Sequence, residues 1–302
     1  MTFDFVTVPG GSAKSAAAGS RGADAARLIE ALTLELASEK IDLPSFPEVA
    51  ARARKALANE FVEIEDVVRI ISAEPALAAR LLQLANSAAL NSSGRRIADL
   101  RQALSRIGFN MARSAAIAFA MSQLRRAEAY RGLERPLDEL WQTSAYIAAV
   151  SHVVAKRFTR VNADTALLGG LLGGIGQLYL LTRAARFPGV LADATTYQRI
   201  VAEWQGRISQ AILRNWEIAE EVVEAVVACE NHDREHEGAT DLTDVLAVGA
   251  ALAALGPNPV ADEMLFLGMP AARRMKLDAT GCVAALAESH DEIVSLRQAL
   301  GT

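Results

Sequence analysis

Between Ala163 and Arg183 the chain interleaves glycine pairs with leucines, reading Leu167-Leu168-Gly169-Gly170-Leu171-Leu172-Gly173-Gly174-Ile175-Gly176-Gln177-Leu178. A segment with no polar face has to be covered on every side. Glycine has no Cβ, so a neighbouring backbone can approach it closely, and the pattern predicts one tightly packed central helix over 163–183. Its most apolar part, Ala166 to Leu181, is about 16 residues long and is broken by the glycines and by Gln177. A bilayer span needs about 20. The segment predicts a protein built around a buried helix, with no membrane contact.

From Ala23 onward, apolar residues recur at helical spacing. A first helix is predicted to about Ser38, and Leu43-Pro44-Ser45-Phe46-Pro47 then forces an extended turn, with Pro47 suited to the first position of the next helix. In Phe61 to Ser72, Ile64, Val67, Val68, Ile70 and Ile71 share a helix face. Pro75 opens another helix whose inner face is Leu77, Leu81, Leu82 and Leu84, and Asn91 to Gly94 is a polar break. Further helices are predicted at 99–107, 110–129 and 136–159. Phe187-Pro188-Gly189 predicts a turn, followed by helices near 195–215 and 218–231, a polar loop from His232 to Thr240, and helices at 242–255 and 279–300. Residues 1–22, rich in Gly, Ser and Ala, are predicted to be a flexible tail. At 51% hydrophobic and 22% charged but only 5% aromatic, the chain has the composition of a folded protein in a helix former's alphabet. No stretch alternates convincingly with period two, so the predicted fold class is all-α.

A net charge of −5 argues against a protein whose main task is coating nucleic acid, and no specific nucleic-acid partner is predicted. Charge is nonetheless uneven. Residues 91–131 hold eight arginines against Asp99 and Glu128, whereas 217–241 hold nine acids against Arg234. The plain reading is solvated faces that pair with each other, and the sharper one is a basic surface for an acidic partner. Cys229 and Cys282 have no CxxC neighbour, which removes zinc-ribbon and disulfide frameworks. With no basic start and apolar core at the N-terminus, a cytoplasmic location is predicted.

Few chemical motifs survive inspection. His232-Asp233-Arg234-Glu235-His236 fits H-x-x-E-H, but that zinc motif must be helical and this copy lies in a polar run ending at Gly238, which predicts a loop. There is no G-x-S-x-G elbow, Walker loop or strand-borne G-x-G-x-x-G. Leu77 to Phe109 resembles a helix-turn-helix only loosely, because its connection from Ala88 to Ile97 is long where that motif needs a tight turn.

Several segments together resemble the HDOD family, the output-type relative of the HD phosphohydrolases in bacterial signalling proteins. Leu43-Pro44-Ser45-Phe46-Pro47-Glu48-Val49 is similar to its L-P-x-x-P-x-V opening. Ile70-Ile71-Ser72-Ala73-Glu74-Pro75-Ala76-Leu77 and Leu84-Ala85-Asn86-Ser87-Ala88 resemble its I-x-x-D-P-x-L and L-A-N-S-A signatures, with Glu74 in place of the usual Asp, and Ile97 to Gly108 continues the match. The resemblance covers about 41–232. It implies an all-α, two-lobed helical bundle whose second lobe is HD-hydrolase-like, which divides the chain into lobes at 23–134 and 135–302.

The resemblance also locates the chemistry that HD enzymes would carry. Gly170 to Leu178 aligns with G-L-L-H-D-I-G-K-L, which puts Gly173 and Gly174 at the metal-binding His and Asp and Gln177 at the lysine. Thr143 stands where HD enzymes often carry their first histidine, and Gln205 and the pair Cys229-Glu230 stand where related sequences carry others. A metal phosphohydrolase needs clustered imidazoles and carboxylates. The resemblance therefore implies a non-enzymatic signalling or scaffold module with no metal and no cofactor. It would bind a signalling partner of acidic character through Asn86, Ser87, Arg95, Arg96 and Arg101, and a small ligand in the emptied HD pocket. The alternative is a divergent phosphohydrolase whose metal is held by Glu230, His232 or His236; a DNA-binding regulator is the third reading.

Overall fold

The computed structural model describes residues 16–38, 41, 48–59, 61–87, 90–91, 94–125, 128–255, 266 and 268–301. Within them the elements are helical, with no strand. The predicted turn at Leu43–Pro47 lies outside the described residues. Helix α1 spans Ala16–Ala37, so residues 16–22, expected in a flexible tail, are helical. Then follow α2 (Glu48–Ala58), α3 (Ile64–Ser72) and α4 (Pro75–Ala85), with Pro75 opening α4 as its spacing required. Helix α5 runs Leu100–Arg125 with a kink at Gly108, whose φ of 72° and ψ of 170° are reached almost only by glycine. That residue separates the two helices expected at 99–107 and 110–129.

Helix α6 (Glu134–Phe158) is the spine of the second half. Against it lies α7 (Ala163–Leu172), started by Asn162, whose side chain accepts from the Thr165 N–H. The close approach rests on Gly170, because a Cβ there would sit 2.7 Å from the Cα of Ala148 on α6. One continuous helix over 163–183 was expected, and the structure corrects this. At Gly174 the backbone leaves helical values (φ −85°, ψ 1°), and α8 (Ile175–Ala184) sets off anew to pack on α10. By length and composition Ala163–Ala184 is apolar enough to cross a membrane, yet 83% of its apolar window is buried inside this fold.

The remaining elements are α9 (Pro188–Leu191), α10 (Ala194–Asn215), α11 (Glu220–Ala228), α12 (Leu242–Ala254), α13 (Pro270–Arg274), α14 (Ala279–Glu288) and α15 (His290–Leu300). The single helix expected at 279–300 is broken at Ser289 (φ −95°, ψ 11°). Helices α2, α3 and α4 pack with α5 as a first lobe, and α6–α12 form a second.

Both ends of the chain cross this division. Helix α1 lies on α9 and α10 of the second lobe, where Asp24 accepts from the Gly189 N–H at 3.0 Å and Glu35 pairs with Arg183 at 2.8 Å. Helix α15 returns to α4, α5 and α6, where Arg80 donates to the Leu300 carbonyl at 3.2 Å and Lys156 meets Glu292 at 2.6 Å. Helix α1 thus packs on the second lobe, and α15 bridges the two, touching α4 and α5 of the first and α6 of the second.

Candidate functional site

The positions aligned with the HD motif meet where α6, the α7–α8 break, α10 and the end of α11 converge. Thr143, half-buried on α6, donates its hydroxyl to the Glu139 carbonyl of its own helix at 2.9 Å. Its neighbour Ser144 fills the space at Gly174, where a Cβ would fall 2.5 Å from the Ser144 Oγ and 3.3 Å from Leu140. Gly173 differs from the expectation that both glycines are packing devices, since the nearest atom to its Cβ position is the Gly170 carbonyl at 3.4 Å, an ordinary contact. Gln177 is buried on α8. Gln205 on α10 donates its amide to Glu230. The Cys229 thiol donates to the Val226 carbonyl at 3.3 Å, and burial, reinforced by Glu230, pushes its pKa up to about 12. Burial likewise raises Glu230.

These residues do not fit a catalytic metal. Two positions have no side chain, Gln205 is an amide already engaged, and the thiol is held protonated. The space beside Gly174, lined by Met121, Leu140, Trp141, Ser144 and Leu178, is about 20 Å³. That admits roughly one water, whereas small-molecule sites run to about 300–1,000 Å³. Of the positions expected to form the emptied pocket, Gly174 alone lines this void.

A cluster that sequence reasoning missed lies one loop away. His232–His236 is irregular backbone, as expected, but His236 turns its Nε2 to Asp244 at 3.0 Å and Asp241 at 3.5 Å. The three residues offer ligand atoms within 4.8 Å of one another. Two guanidiniums already occupy the place of a cation: Arg234 meets Asp241 at 2.6 Å and Arg274 meets the fully buried Asp244 at 2.9 Å. Burial raises Asp241, but Arg234 and the Asp244 N–H outweigh it and hold its carboxyl below the usual range. Asp241 and Asp244 also form a capping box on α12. The network clamps the loop to α12 and α13, and nothing in the local pattern shows that an arginine forty residues on completes it.

A recess of about 830 Å³ lies between α4, the segment 94–99 and α15, lined among others by Leu82, Asn86, Ser87, Arg96, Ala98 and Asp291. Asn86 closes α4 and uses its whole amide in the fold. It donates to the Leu82 and Ile97 carbonyls at 2.8 and 2.7 Å and accepts from the Ile97 N–H at 2.7 Å. The Ser87 hydroxyl is buried without a partner among the described residues. Of the arginines, Arg96 is exposed on the recess, whereas Arg101 pairs with Glu65 on α3 at 2.7 Å. Arg106 donates to Asn91 at 2.9 Å, and Arg113 donates to the Leu57 carbonyl, with burial lowering its pKa. Arg95 is absent from the lining, and its carbonyl accepts from Asn91 at 2.8 Å. The recess thus brings Asn86, Ser87 and Arg96 together, while Arg95 and Arg101 lie outside its lining. Among the described residues no ion pair joins the basic run to the acidic one; the acids pair locally, as Glu220 does with Arg214.

A helical, two-lobed chain whose second lobe carries the HD positions without their ligands falls in the class of HD-related folds. The HDOD domain model matches residues 43–232, and the chain belongs to the HDOD family. Its structure is similar to a protein of Shewanella amazonensis SB2B provisionally named a metal-dependent phosphohydrolase, at 26% identity and a TM-score of 0.69 over 92% of this chain and 99% of that one. A second protein of that organism, provisionally named a phosphohydrolase, aligns at 23% identity and a TM-score of 0.64 over 90% and 98% of the two chains. An HDOD domain protein of unknown function from Geobacter sulfurreducens aligns at 21% identity and a TM-score of 0.59 over 91% and 97%. No curated protein matches the chain.

Proposed function

We propose that this HDOD protein is a non-enzymatic signalling module that recognises a protein partner through its first lobe, in the cytoplasm. The observation that carries the reading is the HD region itself, where Gly173 and Gly174 replace ligands, Gln205 holds Glu230, and Ser144 and Leu140 close the space at Gly174. Two-metal phosphoryl chemistry needs several charged donors converging on the ions; among the aligned positions Glu230 is the one carboxylate, and it is bonded to Gln205. The free thiols of Cys229 and Cys282, both raised by burial, suit a reducing compartment.

A divergent phosphohydrolase is the second reading, favoured by the name of the 26% identical neighbour and by the His236–Asp241–Asp244 cluster. For that cluster to take a metal, Arg234 and Arg274 would have to leave it. The deciding experiment is metal analysis of the purified chain together with hydrolysis of bis- and mono-p-nitrophenyl phosphate. The expected result is no stoichiometric metal and no turnover. A bound ion with activity lost on chelation overturns the proposal.

A further inference from the structure

The connection between α4 and α5 carries a feature that the non-enzymatic reading does not use. Asn86 bonds both the N–H and the C=O of Ile97 through one side-chain amide. The two groups of a single residue point to the same side only when that residue is extended. Asn91 reaches the Arg95 carbonyl from the same strip of chain, so residues 95 and 97 face inward by their backbone. In an extended run the intervening residues face the other way. Arg96 and Ala98 are exposed, they line the recess, and their backbone N–H and C=O groups have no partner among the described residues. These bonds leave one backbone edge of the segment open and hold the other with asparagines.

Facing this edge across the recess stands α15, with Asp291, Val294, Ser295 and Gln298. The gap is about 830 Å³, and its apolar floor is formed by Leu82, Ile97 and Val294. Two polar groups at its wall have no partner among the described residues. The Ser87 hydroxyl is buried and unsatisfied, and buried polar groups are normally bonded. The Arg96 guanidinium has no ion pair among the described residues, unlike Arg101, and Arg forks suit carboxylates.

We infer that the recess is a peptide-binding groove, in which an extended segment of a partner protein adds as a strand to Arg96–Ala98 and places an Asp or Glu side chain against Arg96. Main-chain pairing supplies affinity in this mode and side-chain pockets supply selectivity. The inference rests on the partner-binding reading and names the chemistry of what is bound. Arg96 selects the acidic residue, and Leu82 and Val294 take small or β-branched neighbours.

The test pans a displayed library of short random peptides against the full chain, then measures the enriched peptides by fluorescence anisotropy. Enrichment of sequences with an acidic residue among uncharged, β-branched ones is expected. Ala98→Pro removes an N–H that has no partner among the described residues. The substitution follows Ile97, whose paired N–H and C=O mark it as extended, the conformation a residue before proline prefers, so it blocks the open edge without breaking a bond of the fold. It should weaken binding about tenfold, the loss expected for a main-chain hydrogen bond. Arg96→Ala should weaken it similarly and abolish the acidic preference, and Arg101→Ala should leave it unchanged. Circular dichroism checks folding, and if Ala98→Pro unfolds the chain, Arg96→Ala carries the test. Equal binding by wild type, Ala98→Pro and Arg96→Ala, or an absence of enriched peptides, overturns the groove. Self-association abolished by Ala98→Pro overturns it in favour of a second copy of this chain. Metal analysis distinguishes the two proposals: a catalytic metal with peptide binding intact removes the non-enzymatic reading alone, and failed peptide binding without metal removes the groove alone.

Discussion

Replacing Gly170 with alanine tests how the core is held, because the obstruction is backbone and cannot rotate away. The new Cβ would lie 2.7 Å from the Ala148 Cα, 2.9 Å from its nitrogen and 3.2 Å from the Ile147 carbonyl carbon. Carbon atoms settle at about 3.5–4.0 Å, so α6 and α7 must part by most of an ångström along their seam. Overpacking of this kind costs about 1–3 kcal/mol, and with two rigid backbones facing each other the upper end applies. Alanine's better helix propensity returns about 1 kcal/mol, leaving a net loss of about 2 kcal/mol. Gly173→Ala is the matched control. Its backbone is already helical (φ −54°, ψ −35°) and its Cβ meets nothing closer than 3.4 Å, so it should be neutral or gain about 0.5–1 kcal/mol. Urea midpoints at constant m-value, with thermal melts beside them, measure both. Equal stability of the two variants would refute the distinction between a glycine that packing requires and one that it merely tolerates.

Two further outcomes follow from side chains described above. Glu292 is held down to about 2, first by His152 and then by Lys156, against a burial effect in the other direction. A carboxylate lowered on folding stabilises above its unfolded pKa of about 4.5 and loses that contribution as pH falls through about 2. Full strength would be about 3 kcal/mol, which the half-exposed Lys156 reduces to about 2. Glu292→Gln should therefore be less stable than wild type at neutral pH, with the gap closing between about pH 4.5 and 2 in guanidinium titrations. A gap independent of pH would show that the carboxylate charge is not what ties α15 to α6. Asn86→Ala should cost about 2–3 kcal/mol, because it leaves both backbone groups of the buried Ile97 unpaired. Hydrogen exchange at the Ile97 amide should accelerate, and unchanged protection there would contradict the role given to Asn86.

Much of the architecture could be read from local pattern. Pro75 sets the start of α4, the division between the helices expected at 99–107 and 110–129 falls at the Gly108 kink, and the polar run after Asn231 is a loop. The misreadings share one physical cause. The breaks at Gly174 and Ser289 sit inside continuous apolar periodicity, and they appear only when α8 and α15 have separate surfaces to cover. The sign of a charge run is visible in sequence, but whether Arg101 is free depends on Glu65, which lies on another helix. Asn86 and Ser87 stand out as a motif, yet only the fold shows that the first is consumed by Ile97 and the second left unsatisfied.

The recess has two walls from distant stretches of the chain. One, formed by α4 and residues 94–98, lies inside the stretch that matches the HDOD domain; the other, α15, lies beyond residue 232. On the peptide-groove proposal, substitutions on the recess face of α15 reshape what is bound while leaving Asn86, Ile97 and the α6–α7 seam untouched.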